Sequence, residues 1–148
     1  MATALAPPAP PAPLSTATYR LSAANAKTAA AVLRDLVVAL LHTTGHTALT
    51  DDARLCTSEL VTNVYRHTDT RLVHLDVQVH ERHVTVWVHD DQPRDLPAPR
   101  LYSDELGGLG LSIVNRTARS WGTAQYGGLV PVSKAVWFRL EEEAPSAS

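Results

Sequence analysis

The sequence predicts an α+β fold, a two-layer sandwich whose mostly antiparallel mixed sheet carries helices on one face. Three observations predict it. Apolar residues recur every three or four positions in two N-terminal stretches, which is the helical period. Two valine-rich stretches in the middle alternate apolar with polar residues on either side of a short turn, which is the period of half-buried strands. Strands grouped as hairpins, with helices between the groups, favour a layered sheet over a parallel α/β arrangement.

Residues 1–18 form the first segment. Almost all of Ala2 to Thr16 is Ala, Pro, Ser and Thr, a composition with little to bury, so a disordered tail is expected. From Ser22 to about His42, Ala29, Val32, Leu33, Leu36, Val37, Leu40 and Leu41 mark an amphipathic helix. Its apolar stripe is long enough to pair with a second copy, so a homodimer is possible. Gly45 within the polar stretch Thr43 to Thr47 ends it, and Thr50-Asp51-Asp52 offers an N-cap for a second helix, Ala53 to about His67. Leu72 to Val79 and Val84 to His89 form the hairpin around Glu81-Arg82. Asp91 to Glu105, with three prolines and no periodicity, is expected to be a loop long enough to need a functional reason. A helix from Leu111 to Ser120, a strand around Thr123 to Tyr126 and a last strand Ala135 to Leu140 complete one domain over 19–140. Residues 141–148 form a second polar tail.

With 148 residues and 45% apolar composition, the chain can bury one core of ordinary size. A net charge of −2 and scattered basic residues argue against nucleic acid as a partner. One cysteine, Cys56, allows no internal disulfide. No apolar run reaches the eighteen or so residues of a membrane span, and no signal peptide opens the chain. A cytoplasmic protein without membrane contact is expected.

Two motifs carry chemistry. In Glu59-Leu60-Val61-Thr62-Asn63, residues four apart share a helix face, because four steps of 100° overshoot one turn by only about 40°. A carboxylate and an amide oxygen aimed together suit a hard cation such as magnesium, with a proton acceptor beside it. The turn Gly107-Gly108-Leu109-Gly110-Leu111 opens a helix, where bare backbone amides attract phosphate. Taken singly, the helical carboxylate reads as solvated, the amide as surface polarity and the glycines as a linker. The turn is not a Rossmann fingerprint, since Ile113 stands where a third glycine belongs, and no Gly-Lys-Ser/Thr marks a P-loop. Neither the pair His42 and His46 nor His89 beside Asp90 and Asp91 has the further nearby ligand that a zinc site needs. Cys56 and His67 are about three helical turns apart, roughly 16 Å, too far for a nucleophilic pair.

Taken together and in order, these features resemble the histidine-kinase-like (GHKL) ATPase superfamily, and within it the small actinobacterial ATP-binding proteins related to anti-sigma-factor serine kinases. The resemblance spans about Tyr19 to Leu140. It rests on the Glu59 to Asn63 box with His67 after it, Asp90 ending Val86-Trp87-Val88-His89-Asp90, the Gly107 to Leu111 turn with Ile113-Val114 behind it, Trp121-Gly122, and the closing strand Val136-Trp137-Phe138. It implies a Bergerat-type ATP-binding fold with ATP and Mg2+ as cofactors. Asn63 would coordinate magnesium, and Glu59 would be the general base for the attacking hydroxyl. Asp90 would accept a hydrogen bond from the adenine amino group. Gly107, Gly108, Leu109, Gly110 and Leu111 would hold phosphates, and His67 would touch phosphate or cap its helix. After Asp90 the family pattern has glycines two and four residues on, where this chain has Gln92 and Arg94. Those two residues would line the nucleotide pocket, with Arg94 reaching a phosphate.

Three functions fit the resemblance: a protein serine/threonine kinase that phosphorylates an anti-sigma antagonist and sequesters a sigma factor, a docking module of the same fold without catalysis, and an ATPase subunit of a larger machine. The last ranks lowest, because the chain has no transducer domain for ATP binding to drive.

Overall fold

The structure, a computed structural model, describes residues 16–90, 111–126 and 133–143. The chain opens with strand β1 (Ala17–Ala24), followed by helix α1 (Ala29–Thr43), a single 3-10 turn (Thr47–Leu49) and helix α2 (Thr50–His67). Strands β2 (Leu72–Val79) and β3 (His83–Asp90) follow, then helix α3 (Ser112–Thr117) and strands β4 (Ser120–Tyr126) and β5 (Ser133–Glu141). The five strands form one sheet in the order β1-β2-β3-β5-β4, and every ladder among them is antiparallel. The expected α+β sandwich is therefore what forms, with no parallel pair among the described strands.

The first strand corrects the sequence reading. The helix expected from Ser22 begins only at Ala29, and Ser22 lies in β1 opposite His74 of β2. Leu21 and Ala23 turn towards the core while Arg20 and Ser22 turn outward, a strand alternation that the alanine run into α1 conceals. The N-cap expectation is also corrected. Thr50 is already the first residue of α2, and its hydroxyl donates to the Thr47 carbonyl at 2.8 Å rather than accepting from the helix. The third helix is shorter than expected, ending at Thr117 before Ala118 turns extended.

Other boundaries follow the local chemistry. Gly45, at φ 86°, closes α1 in the left-handed conformation that glycine adopts without cost. The Gly45 and His46 amides then donate to the His42 and Leu41 carbonyls. In the hairpin, the His80 amide donates to the His83 carbonyl at 2.9 Å, which fixes a register pairing Val79 with Val84.

The core lies between the helices and one sheet face. Ala29, Leu33, Val37 and Leu41 supply it from α1, Ala53, Cys56, Leu60 and Val61 from α2, and Val73, Leu75, Val77, Val84, Val86, Phe138 and Leu140 from the sheet. Fully burying a leucine or valine contributes about 1.5–3 kcal/mol, so this layer provides most of the drive to fold. On the other face, Trp87 and Trp137 pack with ring centroids 5.7 Å apart. Trp137 also lies against Gly122, where an added Cβ would fall 2.9 Å from its ring. The Trp-Gly pair thus lets an indole lie flat across a neighbouring strand.

Candidate functional site

The site is built from α2, the end of β3 and the start of α3. Helix α2 packs on β3, β5 and α3 with its other flank against α1. Its buried residues, Ala53, Cys56, Thr57, Leu60 and Val61, define the core stripe. Glu59 and Asn63 lie at one border of that stripe, both half-buried, as a helical repeat of four requires. Neither makes a hydrogen bond or ion pair with any described residue. His67, the last residue of α2, is exposed.

Asp90 is the decisive strand residue. Val84, Val86 and Val88 all point into the core, and the two-residue period carries Asp90 to the same face, where it is only 3% exposed. A carboxylate is rarely buried at the end of an apolar series on an interior strand, so this position makes Asp90 a candidate for function. Its backbone sits between Val73 of β2 and Lys134 of β5. Leu111, at the start of α3, is also buried, and Val114 in the same helix is fully so. Trp121 Nε1 donates to Asn115 Oδ1 at 2.9 Å, tying α3 to β4. Gln92, Arg94, Gly107, Gly108, Leu109 and Gly110 lie outside the described residues.

The electrostatics of α2 bear on the metal. The Cys56 thiol, buried next to Glu59, is pushed up to about 12, by burial first and then by the carboxylates of Asp52 and Glu59. Asp52 and Glu59 thus set two carboxylates along the flank that carries Asn63. Bare phosphate would be repelled there, whereas a divalent cation between phosphate and protein removes the conflict, and the amide oxygen of Asn63 is a suitable hard donor. The residues present thus fit a magnesium-nucleotide complex.

A family model described as the histidine kinase-like ATPase domain matches residues 21–138, from within β1 to within β5.

The chain belongs to the histidine kinase-like ATPase family.

No curated protein matches it. The match covers Glu59, Asn63, Asp90 and residues 107–111, and membership in this ATPase family implies ATP binding. The anti-sigma specialisation is finer than this match reaches.

Sequence reasoning missed the charged network on the sheet face behind Asp90. His89, one residue away and facing the opposite side, lies 3.0 Å from Asp76, which also takes a two-pronged hydrogen bond from Arg20 at 2.7 and 2.8 Å. His89 is held below the usual histidine range, chiefly by burial, and Asp76 below the usual carboxylate range, chiefly by the Arg20 hydrogen bonds. Alternation alone could have found it. His74 and Asp76 face outward on β2, and His89 does so on β3 in register with His74.

Proposed function

We propose that this protein is an ATP-dependent serine/threonine kinase acting on an anti-sigma antagonist, working in the cytoplasm as a regulator of sigma-factor availability. The observation that carries the nucleotide part is Asp90, an interior carboxylate on the helix-covered face beside the helix that bears Glu59 and Asn63. ATP supplies the transferable phosphoryl group, and magnesium offsets its charge. Asn63 holds the metal-nucleotide complex through its amide oxygen. Asp90 accepts a hydrogen bond from the adenine amino group, which guanine lacks at that position. Glu59, unengaged by described residues, takes the proton of the incoming serine hydroxyl. The kinase assignment and the antagonist substrate rest on the sequence resemblance.

A second reading has its own observation. Gln92 and Arg94 replace the glycines that let the backbone approach the base, which favours a docking module of the same fold that regulates without phosphoryl transfer. Calorimetry with Mg-ATP, Mg-GTP and Asn63→Ala separates the two readings. Micromolar binding that prefers adenine and needs Asn63 supports the kinase, and transfer to the antagonist should then vanish in Glu59→Ala. No binding up to about millimolar ATP leaves the docking module.

We also propose a homodimer along the β1 edge. Val32 and Leu36, 47% and 43% exposed, leave an apolar stripe of α1 uncovered, and β1 is an edge strand of the sheet.

A further inference from the structure

A groove runs between the start of α1 and the end of α2. Val61 and Ala30 form its floor, and Lys27, Thr62, Tyr65 and Arg66 form its walls. We propose that this groove docks a short acidic segment of a protein partner.

The charge distribution is the first argument. Arg20, Arg34, Arg54, Arg119 and Arg139 each lie within ion-pair distance of a carboxylate. Lys27 and Arg66 both line the groove, neither makes an ion pair with a described carboxylate, and no carboxylate lines it among the described residues. Helix α1 adds to the same potential. Its first turn carries no acidic side chain, and its N-cap Thr28 makes no capping hydrogen bond, so the positive end of a 15-residue helix is left uncompensated beside Lys27. In a chain of net charge −2, such a concentration of unmatched positive charge marks a place where negative charge is brought by something else.

Size and surface chemistry select the occupant. The groove holds about 280 Å³, below the usual range for cofactor-sized pockets, which suits two or three side chains of an extended peptide. Tyr65 is 44% exposed, a large ring at the rim that a docking partner would cover, and its hydroxyl makes no hydrogen bond with a described residue. Two cations are too few for a nucleic-acid backbone, where stable binding neutralises several phosphates.

The inference goes beyond the nucleotide reading, because the groove is lined by neither Glu59, Asn63 nor Asp90 and peptide binding is measured without nucleotide. Fluorescence anisotropy with a labelled Asp-Glu-Asp-Leu-Glu-Asp peptide tests it, against the amide counterpart Asn-Gln-Asn-Leu-Gln-Asn. The acidic peptide should bind the full chain while the amide peptide does not. Its affinity should fall about tenfold in Lys27→Gln/Arg66→Gln, and also on raising salt from roughly 50 to 300 mM. Arg34→Gln/Arg54→Gln, which removes two cations elsewhere, should change it by less than about twofold. Absence of binding to the full chain overturns the proposal. So does equal weakening by both double variants, which would mean diffuse charge attraction. All four substituted side chains lie at the surface or its border, and a thermal melt verifies that each variant is folded.

Discussion

Cys56 and Asp90 show how one side chain acquires its chemistry from its neighbours. Cys56 stands in the sequence within an apolar-periodic helix, and the structure buries its thiol and sets two carboxylates near it, which together hold it protonated. It should therefore resist a thiol reagent such as Ellman's reagent at pH 8 in the folded protein and react fully in denaturant. Rapid labelling of the native chain would refute the burial and the field described here. Asp90 was legible as a strand-terminal aspartate, but its interior orientation was not. It follows from counting the strand period back to Val84, and it turns a common turn-former into a buried acceptor. Glu59 and Asn63 could be placed on one face from spacing alone, whereas it took coordinates to see that neither makes a hydrogen bond or ion pair with a described residue. Lys27 and Arg66 drew no attention in sequence because they lie 39 positions apart and meet only when α1 packs on α2.

At the level of elements, the hairpin and α2 were readable because each carries one period from end to end. Helix α1 was readable only in part. Its core stripe, Ala29, Leu33, Val37 and Leu41, is evident, yet β1 was absorbed into it because Ala23, Ala24, Ala26, Ala29, Ala30 and Ala31 suit either state. What decides for a strand at Ala17–Ala24 is pairing with β2, a contact some fifty residues distant, which local propensity does not contain. The energetic weight of the stripe is open to test. Leu33 is fully buried, and Leu33→Ala should cost about 2–5 kcal/mol in urea denaturation, a lost side chain plus the cavity it leaves. Arg34→Ala, next in sequence but pairing only with adjacent Asp35 at the surface, should cost under about 1 kcal/mol. Similar losses for the two would mean that α1 does not anchor the core.

For the molecule as a whole, two histidines set the acid side of stability. His83 and His89 both bind protons less readily folded than free, mainly because burial disfavours their charged forms. The unfolded chain therefore takes up more protons just below the ordinary histidine value of 6.5, and stability falls as pH drops through that value towards the depressed folded ones. Asp76 acts in a lower window. Its contribution is present above 3.8 and is lost as pH falls below it. Denaturant melts at about pH 7.5 and 5 should show a lower midpoint at the acid end, with the difference reduced in His89→Gln. A midpoint that is flat or higher at pH 5 would contradict this balance. Assembly is tested separately. Light scattering should give twice the chain mass, and Val32→Glu/Leu36→Glu should reduce it to one chain; a monomeric parent protein would remove the dimer.

The end of β5 is fastened in three ways: the Glu142 amide donates to the Arg82 carbonyl, Arg82 donates to the Glu143 carbonyl, and His46 lies 3.2 Å from the Glu142 carboxylate. Since Glu141 pairs with His83 at the opposite end of β3 from Asp90, this anchorage sits roughly 23 Å along the strand from Asp90. A surface tether or reporter dye attached after Glu143 would thus start from the end of the sheet remote from the candidate site, so immobilised binding assays can hold the protein there and leave Asp90's end open to solution.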